Sequence, residues 1–136
     1  ELVEFVRAAS NSEEEFQQAV QDLHQVLDIA AEKVSQSTPA EKTLVGQVDA
    51  LIDTLYFTYG SFVLMGVDPE RIFEIVHQAN MGKIFPDGKA HFDPVTHKIL
   101  KPDNWKEKYA PEPAIKKEIE RQIKAYERHK ERENQK

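Results

Sequence analysis

Asp49-Ala-Leu-Ile-Asp53-Thr-Leu-Tyr-Phe-Thr-Tyr-Gly60 is the stretch on which the reading of this chain turns. Val48, Leu51, Ile52, Leu55, Tyr56 and Phe57 make it strongly apolar, and their spacing is helical rather than alternating. Asp49 and Asp53 interrupt the apolar run four residues apart, so in a helix they share one face about a turn apart. Two carboxylates so placed repel unless a cation or base lies between them, and no Lys or Arg occurs between Lys42 and Arg71. Spacing alone admits two readings, a solvated stripe or half of a cation site.

Working outward, helix signals recur on both sides. Leu2, Val3, Phe5 and Val6 predict a short first helix ending near Asn11. Ser12-Glu-Glu-Glu15 is a capping box, in which Ser12 accepts from the third helical amide while Glu15 reaches back. Phe16, Val20, Leu23, Leu27 and Val34 carry the second helix to about Gln36. Thr38-Pro-Ala-Glu41 repeats the start signal, with Pro39 suited to a first helical position. The third helix should then run to Met65, with Gly66 beyond its end and Gly60 marking a bend or a close contact. Asp68-Pro69 opens a fourth helix reaching about Gly82. Pro86, Pro94, Pro102, Pro111 and Gly88 give the next segment the character of a long loop, in which Ala90–Phe92 and Lys98–Leu100 could pair as a small hairpin. A last helix from about Pro113 carries Ile115, Ile119 and Ile123 on one face and should fray beyond Tyr126. The expectation is one all-α domain over residues 1–136, with a core of about 12–112 and a charged C-terminal helix over 113–136.

Composition narrows the chemistry. A chain of 136 residues can bury a core without staples, and with no cysteine it has no disulfide, thiolate metal site or cysteine nucleophile. Any metal must be held by oxygen or imidazole. The apolar runs are too short to cross a bilayer and no signal peptide is evident, so a soluble, cytoplasmic protein is expected. The net charge of −6 divides unevenly: residues 1–68 hold 12 acids and 3 bases, 69–115 hold 7 of each, and 116–136 hold 5 acids and 8 bases. A net-acidic chain lacks the basic footprint of a general nucleic-acid binder. The mixed signs around Lys116, Glu120 and Lys124 read as a salt-bridged, solvated helix.

If helices two and three are antiparallel about a turn near Ser37–Thr38, Asp53 lies opposite Asp22 and Asp49 opposite Gln25–Val26. Helix two also offers Gln18, Gln21, Asp28 and Glu32 near that level. Carboxylate and amide oxygens converging across two helices suit a hard cation such as Mg²⁺ or Mn²⁺. Helix four supplies His77, Asn80 and Lys83 at three-residue spacing, and the loop adds Lys89, Lys98 and Lys101. Lysines grouped with an Asn can bind phosphate oxygens. A lysine at a helix C-terminus is also favourable with no ligand, and a lone histidine is commonly a packing residue. No HExxH, GxSxG, Walker loop or GxGxxG is present.

The Asp49–Gly60 stretch, with Gly66-Val-Asp-Pro69, Val76-His-Gln-Ala-Asn80-Met-Gly-Lys83, Asp87-Gly-Lys89 and Lys98-Ile-Leu-Lys101-Pro102, resembles the MazG-like nucleotide pyrophosphohydrolases. That all-α superfamily includes phosphoribosyl-ATP pyrophosphohydrolase and the dimeric dUTPases. The likeness spans residues 45–105 and is nearest the branch labelled Cof-like phosphohydrolase. It implies a MazG-like bundle of four to five helices and Mg²⁺-dependent cleavage of an α–β phosphoanhydride, giving a nucleoside monophosphate and pyrophosphate.

By the same resemblance, Asp53 matches the last acid of an E-x-x-D element whose Glu position is Ala50 here, leaving Asp49 to substitute from the next residue. The E-x-x-E element falls on Gln21-Asp-Leu-His-Gln25, where Asp22 alone is acidic. The implied catalytic and metal set is therefore Asp22, Asp49 and Asp53, with Gln21 and Gln25 as neutral oxygen donors. Nucleotide binding falls to His77, Asn80, Lys83, Lys98 and Lys101. The alternatives are a degenerate member that binds nucleotide without turnover and a helical assembly module. Apolar surface beyond what these helices can bury, notably at Phe57, Tyr59, Phe62 and Met65, predicts a homodimer or homotetramer.

Overall fold

The computed structural model describes residues 1–36 and 44–135. Its helices are α1 (Leu2–Ala9), α2 (Glu13–Ser35), α3 (Leu44–Met65), α4 (Glu70–Met81), α5 (Trp105–Tyr109) and α6 (Glu112–Glu133). The all-α expectation holds: among the described residues five helices have eight residues or more and a sixth has five. The chain gathers into two compact units, Glu1–Leu51 and Ile52–Lys136.

In the first unit α1 packs on α2. Ser12 caps α2 as its position predicts, its hydroxyl accepting from the Glu15 amide at 3.1 Å. Glu15 reaches one residue further than a reciprocal box would. Its carboxylate takes both the backbone amide of Asn11 at 2.7 Å and the Asn11 side chain at 3.1 Å. That double donation holds the Glu15 carboxyl below its ordinary pKa. Val6, Phe16, Ala19, Val20 and Leu23 are the half-buried apolar residues of this corner. The Arg7 guanidinium lies over the Phe16 ring at 5.0 Å and pairs with Glu13 at 2.8 Å, closing the corner from outside. The start signal at Thr38–Glu41 and the turn near Ser37 lie outside the described residues.

α3 runs unbroken through Gly60, and nothing among the described residues stands within 4 Å of a β-carbon placed there. The close contact expected at Gly60 is therefore not seen among the described residues. The helix stops where predicted. Gly66 takes φ +67°, its amide donates to Val63 and the Val67 amide donates to Phe62, a Schellman closure.

In the second unit α4 packs on α6, with Ile72 and Ile75 of one helix and Ile115 and Ile119 of the other half-buried. Two of the three stripe isoleucines are thus used within the unit, while Ile123 stays exposed. α6 also continues well past Tyr126, since its last turns are good helix formers. The segment 83–104 is a tied loop with one antiparallel bridge, Phe92 to Ile99, where a small hairpin was expected.

Glu118 is the buried charge of this unit, at 5 % exposure. Arg121 grips it with two bonds of 2.8 and 2.7 Å, Gln122 donates at 3.0 Å, and Arg71 of α4 stands 3.6 Å away. The Arg121 bonds, then Gln122, lower its pKa to about 2 against the opposing effect of burial. The described ion pairs of α6 are built on Glu118 and on His129–Glu133 rather than on the expected Lys116–Glu120–Lys124 series. No single helix among the described residues is long and apolar enough to cross a membrane.

Candidate functional site

The carboxylates come from two helices. Asp22 is exposed on α2, where its Oδ1 accepts from Gln18 at 2.9 Å; Gln21 and Gln25 are exposed beside it. Asp49 and Asp53 sit exposed on α3, a helix with no basic residue. Among the described residues no three His, Asp or Glu side chains come together as a metal site. Asp22 belongs to the first unit and Asp53 to the second, and the turn that would bring their helices together lies outside the described residues.

The cationic half belongs to the second unit and has a defined geometry. At the end of α4 the Lys83 ammonium donates to Asn80 Oδ1 at 2.7 Å, so these two act as one polar group. His77 goes elsewhere: its ring stacks parallel on Phe73, with centroids 6.4 Å apart. It borders an open groove of about 740 Å³ that Arg71, Glu74, Gln78, Lys108 and Tyr109 also line. None of the other candidate residues lines that groove.

The loop lysines hang on two turns. Asp87 accepts from His91 Nε2 at 2.8 Å and from the Lys89 amide at 3.0 Å, and the His91 bond leads in holding its carboxyl low. Asp93 Oδ1 accepts from the amides of Thr96 and Val95 at 2.7 and 3.0 Å and from the Thr96 hydroxyl at 2.9 Å; the Thr96 amide leads in lowering its pKa. These side chain to backbone bonds close a turn that ends in His97 at φ +55°. The Lys98 carbonyl then accepts from Asp93 and the Phe92–Ile99 bridge follows. Lys101 lies just beyond, its ammonium 4.1 Å from the centre of the Trp105 ring.

Trp105 itself is buried and donates its indole N–H to the Ala79 carbonyl at 2.8 Å. Neither α5 nor this bond was expected, although a single tryptophan in a Pro- and Lys-rich loop was the available signal. Gly82 answers to α5 as well, since a β-carbon there would fall on the ring of Tyr109.

Over residues 1–80 the chain matches the family of phosphoribosyl-ATP pyrophosphohydrolase. It belongs to that family. The match starts earlier than the resemblance read from the sequence blocks, taking in α1 and α2 with Asp22, and it ends at Asn80, before the lysine loop. Among solved structures, a candidate NTP pyrophosphohydrolase from Exiguobacterium sp. 255-15 is 44 % identical with a TM-score of 0.78, covering 91 % of this chain and 73 % of that one. No curated protein matches. Membership and this likeness point to a hydrolase of the NTP pyrophosphohydrolase type.

Proposed function

We propose that this family member hydrolyses a nucleoside triphosphate between the α- and β-phosphates, releasing a nucleoside monophosphate and pyrophosphate. The observation that carries the reading is that the family match contains all three candidate carboxylates and ends at Asn80, which is bonded to the first lysine of the cationic loop. Carboxylate oxygens and no thiolate are the donor set of a hard divalent cation, so the residues present fit Mg²⁺, with Mn²⁺ as a substitute. Asp22, Asp49 and Asp53 would hold it, with Gln21 and Gln25 as added oxygen donors. When bound, such an ion supplies charge stabilisation at the phosphate and orientation of a water. Asn80 and Lys83 bind phosphate oxygens, and Lys98 and Lys101 take the pyrophosphate end, where positive charge offsets that developing on the leaving group. His77, turned toward the α4–α5 groove, recognises another part of the nucleotide.

The exposure of α3 supports a homodimer or homotetramer. Phe57 is 74 % exposed and Leu64 91 %. Burying each such side chain is worth roughly 1.5–3 kcal/mol, so a second copy covering α3 gains far more than a rim contact would.

A panel of NTPs and dNTPs with Mg²⁺ or Mn²⁺ tests the reaction, with pyrophosphate release as the expected result. No release, together with no metal-dependent rise in melting temperature, would reject it. Nucleotide binding without release would favour the degenerate alternative, for which Ala50, Gln21 and Gln25 at acidic positions of the resemblance are the motivating residues.

A further inference from the structure

Trp105 is the one tryptophan of the chain and is 7 % exposed in a protein with few buried side chains among its described residues. Its buried N–H needs an acceptor, and the Ala79 carbonyl is a suitable one. That carbonyl belongs to the last turn of α4, where backbone acceptors lack partners further along the helix. The Lys83 amide, which would otherwise reach it, bonds to Asn80 instead. The indole therefore fixes the helix end at the residue preceding Asn80, and Asn80 in turn holds the Lys83 ammonium. The face of the same indole lies under the ammonium of Lys101, 4.1 Å from the ring centre. Satisfying the N–H accounts for the first contact but does not require the second.

We propose that Trp105 is a positioning residue for the phosphate-binding lysines, holding the end of α4 through its N–H and Lys101 over its ring. The inference rests on the nucleotide reading above. Lysine ends a flexible four-carbon stem, so a free ammonium loses conformational freedom when a phosphate orders it. An ammonium already drawn to an indole face loses less, and its N–H donors directed away from the ring remain for phosphate oxygens. Trp105 need not touch the substrate.

The test uses the full chain with Mg²⁺, inorganic pyrophosphate as the binding probe, and the emission of the single tryptophan. Lys101→Met, which keeps most of the stem and removes the charge, should shift Trp105 emission without ligand. Pyrophosphate should change wild-type emission and change it far less in Lys101→Met. Trp105→Phe keeps a ring and loses the N–H; it should raise KM for the nucleotide roughly three- to tenfold and leave kcat within about twofold. Combined with Lys101→Met, its effect should fall short of the product of the two single effects, as for residues in contact. Multiplying effects, or emission indifferent to Lys101→Met, overturns the proposal. Should Trp105→Phe fail to fold, the Lys101→Met spectra decide alone. A wild-type chain that neither hydrolyses nucleotide nor binds pyrophosphate, while Lys101→Met still shifts the emission, overturns the nucleotide reading and the phosphate role with it but leaves the contact standing.

Discussion

Gln122 holds the backbone of Asp68 from both sides, its Oε1 accepting from the Asp68 amide at 2.9 Å and its Nε2 donating to the Asp68 carbonyl at 3.0 Å. The clasp ties the connection between α3 and α4 to the middle of α6, 54 residues away in sequence. Each such bond contributes on the order of 0.5–1.5 kcal/mol net, so Gln122→Ala should cost roughly 1–3 kcal/mol in urea unfolding. Gln122→Glu should cost more, because it removes the donor and sets a second carboxylate beside Glu118.

The Glu118 network makes a prediction in pH. Its carboxyl titrates at about 2 in the folded chain against 4.5 for the free group, held down first by Arg121 and then by Gln122, with Arg71 adding to the attraction. A depressed carboxylate stabilises the fold fully above the unfolded value, and the contribution disappears as pH falls toward the folded one. The melting-temperature gap between wild type and Glu118→Gln should therefore be constant above about pH 5 and shrink between about 4.5 and 2. A gap that widens on acidification would contradict the pairing.

Gly82 and Gly66 should both resist alanine, for different reasons. At Gly82 the obstacle is the Tyr109 ring, and forcing a methyl group against packed atoms costs about 1–3 kcal/mol. Tyr109→Ala should recover part of that loss, since it removes the ring. At Gly66 nothing is in the way; the obstacle is φ +67°, a left-handed conformation costing an L-residue roughly 1–2 kcal/mol, and no second-site truncation should rescue it.

These contacts mark what a sequence can and cannot disclose. Helix limits were legible at Ser12 and Gly66 because capping is written in neighbouring residues. α5 was not, since five residues span little more than one turn and leave no period to detect. Glu118 is one of many charges on a helix whose mixed signs read as solvated; its partner Arg71 is distant in sequence, and the two meet only because α4 packs against α6. Asn80 and Lys83 were found together because they are three residues apart on one helix end. The link from Ala79 to Trp105 spans 26 residues and has no sequence spacing to betray it. Whether Asp22 meets Asp49 and Asp53 depends likewise on how helices distant in sequence come together, which spacing along one helix does not encode.

The exposed apolar surface of α3 predicts the mass of the particle. Light scattering should give a dimer or tetramer, and Phe57→Glu, a charge placed on that surface, should shift it toward monomer with reduced solubility. A wild-type monomer at micromolar concentration would sink the homo-oligomer proposal.

Asp49 and Asp53 predict a change of sign. Without a divalent cation they are like charges four residues apart on a helix that has no basic residue, an arrangement that costs roughly 0.2–0.5 kcal/mol. Asp53→Asn should then be neutral to slightly stabilising in EDTA. With Mg²⁺ the order should reverse: a cation held by the wild-type carboxylates at a hundred times its Kd adds about 2.7 kcal/mol, and the variant should gain much less. Crossing melting curves, with loss of turnover in Asp53→Asn, identify Asp53 as a ligand. If Mg²⁺ raises wild type and variant equally, Asp53 is no ligand, and the solvated-stripe reading of this helix face is the correct one.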